Sequence, residues 1–472
     1  MSGLQPAVKR CLLVPALEYT MKTASIILAA GQGTRMRSRL PKVLHPLLGK
    51  PMLLYALEAA RSASDYAPVL VIGHAAQEVR AAVEAAGAEA LFALQEQQLG
   101  TGHAVMSARG AVPKDADMVL VTCGDMPLLR PETLRQLAAL HRENGGVLTM
   151  TSVVGDVPRG FGRILRGANG SILAIVEEAA ATPEQLAVRE YNVSAYCFDA
   201  KWLWANLEKI QLSAKKEYYL TDLVSIAVSE GKRVEALVLE DKLETLGINT
   251  RVDLADAETA LRRRLNEYWM LAGVTLLDPA TTTIEPDVRI GQDTTLLPNT
   301  ALRGKTVIGE DCIIGPNTTL LHTLVGSQTT ICDSVAEYAS VGSQVSIGPF
   351  CHLRKGAVLA DRVHMGNFGE VKSSYLGENA KMGHFSYIGD ALIGANVNIG
   401  AGTITCNFDG VNKNRTEIGE NTFIGSDTML VAPVKIGKNA RTGAGSVVTR
   451  DVPDNTLVYG VPARERKEQS EQ

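Results

Sequence analysis

Three groups of residues have types and spacings that could do chemistry. The first is Leu28-Ala29-Ala30-Gly31-Gln32-Gly33-Thr34-Arg35-Met36, followed by Pro41-Lys42, where an apolar run from Ala24 to Ala30 empties into a glycine-punctuated loop. Glycines let backbone N–H groups approach a phosphate closely, because no Cβ stands between. Arg35 and Lys42 then supply two cations able to neutralise phosphate charge. A dinucleotide fingerprint needs a third glycine where Met36 stands, and a Walker loop needs Gly-Lys-Ser/Thr, so the loop belongs to neither class. It reads as a nucleotide or sugar-phosphate turn, with a plain strand–turn as the alternative.

The second group surrounds Cys123-Gly124-Asp125, straight after the apolar run Met118–Thr122. A carboxylate emerging from a buried strand end suits a hard divalent cation such as Mg2+, which takes one or two carboxylates and fills its shell with water and phosphate oxygens. Asp125 could equally cap the next segment. Gln95, with Gly100-Thr101-Gly102-His103, offers amides and backbone able to read a base edge, or else a loop and cap for a helix from His103. The third group centres on His384, the one side chain there with an ordinary pKa near neutrality. Arg354, Lys372, Tyr387, Asn398 and Ser426 lie nearby in sequence; the plainer reading of His384 is an exposed bystander.

The elements that must position these groups fall into two kinds. Up to about residue 250, apolar strands (Val69–Ile72, Leu91–Leu94, Met118–Thr122, and one near 147–153) alternate with amphipathic helices (Leu53–Arg61, Ala75–Ala86, Pro131–Asn144). That alternation predicts an α/β domain, Rossmann-like, with a mostly parallel sheet covered on both faces and ligands at the strand carboxyl ends. Gly162, Glu177 and Asn192 are polar or glycine points between strand-like runs, and Leu246-Gly247-Ile248-Asn249-Thr250 closes the domain. Residues 251–271 repeat apolar side chains at Leu254, Ala257, Leu261, Leu265 and Tyr268, which predicts one long helix whose Arg262-Arg263-Arg264 run is a solvated face.

From about residue 285 a short period takes over. Aliphatic–glycine pairs recur in steps of six or its multiples, as at Ile308-Gly309 and Ile314-Gly315, Ile393-Gly394 and Ile399-Gly400, and Ile418-Gly419 and Ile424-Gly425. A hexapeptide period with one inward aliphatic per short strand predicts a parallel β-helix. The period breaks between Gly400 and Ile418, an insertion of the kind that carries function in solenoids.

Bulk properties narrow the rest. The 472 residues carry 47 basic and 51 acidic side chains, which implies neither a nucleic-acid nor a membrane partner. Seven cysteines, odd in number and never in a Cys-x-x-Cys pair, fit a reducing cytoplasm, and no apolar run is long enough to span a bilayer. Lys9-Arg10 and the apolar stretch Cys11–Leu17 mimic a signal peptide, but Pro15 and Glu18 interrupt it and no cleavage site follows. Residues 1–20 are therefore expected to be a disordered extension, with Met21 an alternative start.

Leu-Ala-Ala-Gly-x-Gly-Thr-Arg-Met with Pro41-Lys42, Gln95 with Leu-Gly-Thr-Gly-His, Gly124-Asp125 and Gly-Ile-Asn249 together resemble the bacterial bifunctional N-acetylglucosamine-1-phosphate uridyltransferase / glucosamine-1-phosphate acetyltransferase family. The second half is similar to hexapeptide acyltransferases, and the whole resemblance spans roughly residues 22–460. It implies a nucleotidyltransferase domain at 21–250, a helical linker at 251–272 and an acetyltransferase domain at 273–472, an all-β left-handed parallel β-helix that forms a homotrimer and ends in a short tail. The implied reactions acetylate glucosamine-1-phosphate with acetyl-CoA, then transfer UMP from UTP to the product, giving UDP-N-acetylglucosamine and pyrophosphate for cell-wall precursor synthesis.

Residue by residue, the resemblance implies that Leu28, Ala29, Ala30 and Gly31 lie along the nucleotide, that Arg35 and Lys42 act on its phosphates, and that Gln95, Gly100 and Thr101 read uracil beside Cys123 and Gly124. Gly162, Glu177 and Asn192 would hold the N-acetylglucosamine, and Asp125 and Asn249 the Mg2+. His384 would be the general base of acetyl transfer, with Arg354, Lys372, Tyr387 and Asn398 on glucosamine-1-phosphate. Ala401, Asn407, Phe408, Ser426 and Ala444 would line the acetyl-CoA site. Cys123 stands where relatives often carry an aromatic residue, Phe408 replaces a tyrosine, and the basic contact expected before Tyr459–Arg464 is missing. The rival reading keeps the sugar-1-phosphate nucleotidyltransferase and makes the β-helix a trimerisation or regulatory module.

Overall fold

The computed structural model describes residues 21–155, 160–178 and 181–466, so the expected extension at 1–20 and the last six residues lie outside the described part. The chain divides into two compact units, one ending at Ala257 and the other beginning at Glu258.

In the first unit, period-two alternation sends side chains of one strand to opposite faces. Ile26, Val69, Val71, Val119 and Val121 join one core, while Ile27, Leu70, Ile72, Met118 and Leu120 join the other. Strand order across the sheet is Val234–Val238, Leu148–Val154, Glu190–Asp199, Met118–Cys123, Thr23–Leu28, Val69–Ile72, Leu91–Leu94. All neighbours run parallel except Glu190–Asp199, which is antiparallel to both of its own. Tyr191 and Asn192 thus lie inside a strand rather than between runs. The alternation is hidden because the register shifts between Asn192 and Tyr196 and Ser194 sits at φ 63°.

The helix Arg251–Leu271 begins with a reciprocal cap in which Asp253 N–H donates to Thr250 Oγ1 while Thr250 N–H donates to the Asp253 carboxylate. Its buried stripe departs from the sequence reading: Leu254 and Leu265 are only half-buried, Ala260 is buried, and the largest change is at the end of the helix. Tyr268 is 61% exposed and Trp269 packs into the core instead, on the same face as buried Asn266, which donates to the carbonyls of Pro279 and Thr282.

The second unit is a parallel β-helix, consistent with the left-handed hexapeptide class. Successive two- to four-residue strands feed three sheets in turn, starting at Thr275–Leu276, Thr283–Ile284 and Arg289–Ile290. Each sheet pairs a strand with the one a coil later, for example Lys381 with Asn398, a step of 17 residues. Ile, Leu and Val from every coil fill the axis, and threonine hydroxyls bond corner carbonyls, as Thr294 Oγ1 does to Gly309 O at 2.8 Å. Glycines of aliphatic–glycine pairs such as Gly291, Gly309 and Gly366 sit where coils touch: a Cβ on Gly366 would fall on the Gly383 carbonyl oxygen.

Gly366→Ala is therefore expected to lower the thermal midpoint, since overpacking costs typically about 1–3 kcal/mol. A circular-dichroism melt of the full chain checks this, and an unchanged midpoint would mean that the coils have slack there.

Candidate functional site

The glycine loop leaves the sheet at its carboxyl edge. Ala29 N–H still donates to Val71 O and Gly124 N–H to Leu28 O, so the chain exits between two strand ends before turning through Thr34–Met36. Met36, where a dinucleotide loop has glycine, is buried and anchors the turn in the core. Gly33 has φ +63°, and a Cβ there would collide with the Lys42 side chain, so this glycine gives Lys42 its path across the loop.

The Lys42 ammonium lies 2.5 Å from Asp125 Oδ2 and 3.1 Å from Asn249 Oδ1, and Arg35 Nη2 donates to the same Asn249 oxygen at 3.0 Å. Arg35, Lys42, Asp125 and Asn249 are thus brought together. Ile248 N–H donates to Asp125 O, the Asp253 carboxylate accepts from Asn249 N–H, and Arg251 Nε donates to Met36 O, tying helix start, loop and strand end into one frame. One carboxylate and one amide oxygen converging on a cation are the hard donors that fit a divalent ion able to take its other ligands from water and phosphate.

A cavity of about 500 Å3 opens beside this frame, lined by Leu28, Ala29, Ala30, Gly31, Lys42, Gln95, Gly100, Thr101, Cys123 and Asp125 among others. Gln95 is buried, and its Nε2 lies 3.1 Å from both Gly100 O and His103 Nδ1. The carbonyl can only accept, so the amide orientation is fixed and Oε1 is left to accept from a ligand donor.

A second chamber of about 240 Å3 shares Leu28, Thr101, Cys123 and Tyr219 with the first and is lined by Gly162, Glu177 and Asn192. Burial pushes the Glu177 carboxyl above its usual range, opposed by a hydrogen bond from Thr221 Oγ1 at 3.2 Å. Asn192 Nδ2 donates to Tyr196 Oη at 2.7 Å. Arg163, 2% exposed, bonds Phe161 O and the Glu178 carboxylate, which fixes the turn through Gly162. Burial pushes the Cys123 thiol up to about 12, with Asp125 adding to it, so Cys123 stays neutral.

Sequence reasoning missed Tyr219 and Thr221 in this site. Their signal was the Glu217-Tyr-Tyr-Leu-Thr-Asp222 run, hydroxyls and acids in one short connection, and it braces the site because Leu220 N–H donates to Thr101 Oγ1.

In the β-helix, Arg354 and Lys372 occupy neighbouring coils of the second sheet, with Tyr387 one coil further. The inserted loop lengthens one step to 25 residues, from Asn398 to Phe423, and it carries Lys413, also missed by sequence reasoning. Direct contact with Lys413 and its charge hold the Lys372 ammonium below the usual lysine range, with burial and Arg354 adding and Asp390 opposing. Arg354 also pairs with Glu370 at 2.8 Å. Asn407 Nδ2 bonds Asp390 Oδ2 at 2.5 Å and approaches Tyr387 Oη at 3.4 Å. Three cations crowded together are suited to a dianionic phosphate.

His384, Ala401, Ser426 and Ala444 stack along one corner in successive coils, as the bonds Gly402 N–H to Phe385 O, Asp427 N–H to Ala401 O and Gly445 N–H to Ser426 O record. His384 is exposed, and Phe408 is 60% exposed on the insertion. Asn398 stands apart: it lies on the first sheet beside Lys381 and Phe423, not with the cations of the second.

Residues 25–194 match the MobA-like NTP transferase domain, and residues 287–322 and 415–450 match the bacterial transferase hexapeptide (six repeats). The chain is 47% identical over 437 residues to the bifunctional protein GlmU of Heliobacterium modesticaldum, covering 92% of this chain and 95% of that one. To the GlmU of Exiguobacterium sibiricum it is 45% identical over 448 residues, covering 95% and 98%. To that of Pelobacter propionicus it is 47% identical over 436 residues, covering 92% and 95%.

Gly33→Ala has to move either the loop or Lys42. Loss of one charge partner is expected to weaken nucleoside triphosphate binding by roughly tenfold, as read by titration calorimetry. Unchanged affinity would show that the loop yields without disturbing Lys42.

Proposed function

The chain belongs to the family of bifunctional GlmU proteins, and from that premise we propose which of its residues carry the two reactions. The chain is a uridyltransferase and an acetyltransferase: the second half acetylates glucosamine-1-phosphate, and the first turns the product and UTP into UDP-N-acetylglucosamine and pyrophosphate. We assign uridyl transfer to residues 21–250, the linker to 251–272 and acetyl transfer to 273–472.

In the first reaction the sugar-phosphate oxygen attacks the α-phosphorus of UTP in line and pyrophosphate departs, so catalysis is positioning and charge stabilisation. Leu28–Gly31 backbone follows the triphosphate, Gln95 Oε1 accepts from the base, and Gly162, Glu177 and Asn192 hold the sugar. Arg35 and Lys42 stabilise the charge that grows on the leaving pyrophosphate. The observation that carries this reading is the meeting of Lys42, Asp125 and Asn249 at the mouth of the cavity. The family's nucleotidyl transfer uses a divalent metal; here Mg2+ on Asp125 and Asn249 would neutralise phosphate charge when bound.

In the second reaction Arg354, Lys372 and Lys413 clamp the sugar phosphate, with Tyr387 beside them. His384 removes a proton from the glucosamine amine as its nitrogen attacks the thioester carbonyl, and the thiol of CoA leaves. Ala401, Asn407, Phe408, Ser426 and Ala444 line the CoA side, and Ser426 supports the oxyanion. Asn398 lies on another sheet of its own chain, so it could join such a cluster only across an interface between copies.

We propose a trimer; association of copies is supported by outward apolar side chains on the third sheet, Val307 and Leu324, then, past Ser340, Val358, Tyr375 and Leu392, each between 36 and 52% exposed. A cytoplasmic setting with small-molecule partners, without nucleic acid or membrane, accords with the near-neutral charge. No helix among the described residues is long and apolar enough to cross a membrane.

The test follows thiol release with glucosamine-1-phosphate and acetyl-CoA, and in a separate assay pyrophosphate release with N-acetylglucosamine-1-phosphate, UTP and Mg2+, omitting each component in turn. Lys42→Ala or Asp125→Ala is expected to cut pyrophosphate release by a factor on the order of 10² while sparing thiol release. His384→Ala should do the reverse. Loss of both signals in one variant would point to misfolding, and near-normal turnover would refute the assignment.

A further inference from the structure

We propose that Lys42 is a built-in competitor of the divalent cation, occupying the cation's place until a triphosphate draws its ammonium away. The proposal rests on the reading of Asp125 and Asn249 as the metal pair. Lys42 Nζ touches both oxygens that would ligate the ion, at 2.5 and 3.1 Å. An amide oxygen has two lone pairs, and those of Asn249 Oδ1 are already engaged by Lys42 and by Arg35 Nη2 at 3.0 Å. An ion can therefore gain Asn249 only by displacing a protein cation.

The backbone that carries the two ligating groups is tied in place. Ile248 N–H holds the Asp125 carbonyl at 2.9 Å, and Asp253 accepts from both Asn249 N–H and Thr250 N–H. The Lys42 side chain is 13% exposed and that of Asp125 23%, so the pair is partly sheltered, and a bare ammonium leaving it without a new anion would be costly. Lys42 also lines the cavity along which Leu28–Gly31 run. A triphosphate there supplies the missing anion for Lys42 and, at the same time, oxygens for the ion. Ion and nucleotide binding are then coupled through one side chain, and linkage makes that coupling reciprocal.

The full-length protein without nucleotide is titrated with Mn2+, and free Mn2+ is followed by electron paramagnetic resonance. Lys42→Met, of similar length and without charge, is expected to bind Mn2+ about fivefold more tightly than the unsubstituted protein, the scale of one partly sheltered charge pair. Lys42→Gln should behave alike and guards against a folding defect particular to Met. Adding Asp125→Asn to Lys42→Met should abolish the gain. Equal or weaker affinity in both single variants, or a gain that survives Asp125→Asn, would overturn the proposal. If no form takes up Mn2+ and Mn2+ leaves UTP affinity unchanged, the metal-pair reading falls as well.

Discussion

A partly sheltered carboxylate needs a cation, and in the first unit the cation, the carboxylate and the amide that completes the point come from three distant parts of the chain. Lys42 follows the first strand, Asp125 ends a neighbouring strand, and Asn249 precedes the long helix. None of these groups is held by its own element alone. Gly33 clears the path of Lys42, a bond from Ile248 N–H holds the backbone of Asp125, and Asp253, which also caps the helix with Thr250, accepts from Asn249 N–H and holds the backbone there. Arg251 closes the frame by bonding the carbonyl of Met36, whose side chain is sunk in the core. Removing one partner from such a set leaves the others sheltered and unpaired, which is why the surrounding structure is so heavily cross-tied.

The second unit brings charges together by a different constraint, the spacing of stacked strands at about 4.8 Å. Side chains at one level of successive coils must be neighbours. Arg354 and Lys372 meet in this way, and the next position at that level is Gly389. A Cβ on Gly389 would run into Tyr387 Oη and Asn407 Nδ2, so the missing side chain opens the space in which those polar groups face the cations. Lys413 arrives from outside the repeat, because the insertion folds back on itself through a bridge between Phe408 and Lys413. The repeat thus makes a row, and its interruption turns the row into a pocket.

Much of this was legible in the sequence because it is local. Short apolar runs marked the strands Val69–Ile72 and Leu91–Leu94 with the bounds observed, and helical periodicity marked the helix over 251–271. The hexapeptide rhythm marked the β-helix, since each coil repeats one packing problem. The strand Glu190–Asp199 was not legible, because a bulge breaks its alternation. Tyr268 and Trp269 differ by one step on a helix, and it is tertiary packing that buries Trp269, on the face that also carries the bonded Asn266. Tyr219, Thr221 and Lys413 sit in connections without periodicity, so their place in a site depends on long-range packing that no local pattern encodes. Asn398 belonged to a sequence neighbourhood of site residues, yet one coil carries three faces, and nearness in sequence does not mean a shared face.

Two of the three departures from the family pattern take physical meaning from the same geometry. Cys123 lies where the two chambers of the first site join, and burial keeps its thiol neutral beside Asp125. A small neutral side chain there leaves the chambers continuous without competing for the cation, so the position contributes shape rather than charge. Phe408 stands exposed at the mouth of the insertion, and the link to Lys413 at that point is made by backbone. The loop therefore keeps its form without a hydroxyl on that ring, and what Phe408 presents outward is an apolar face. In both places the polar work has already been given to other residues, Asp125 in one and Asn407 with Lys413 in the other, which is what lets the side chain change while the site keeps its charges.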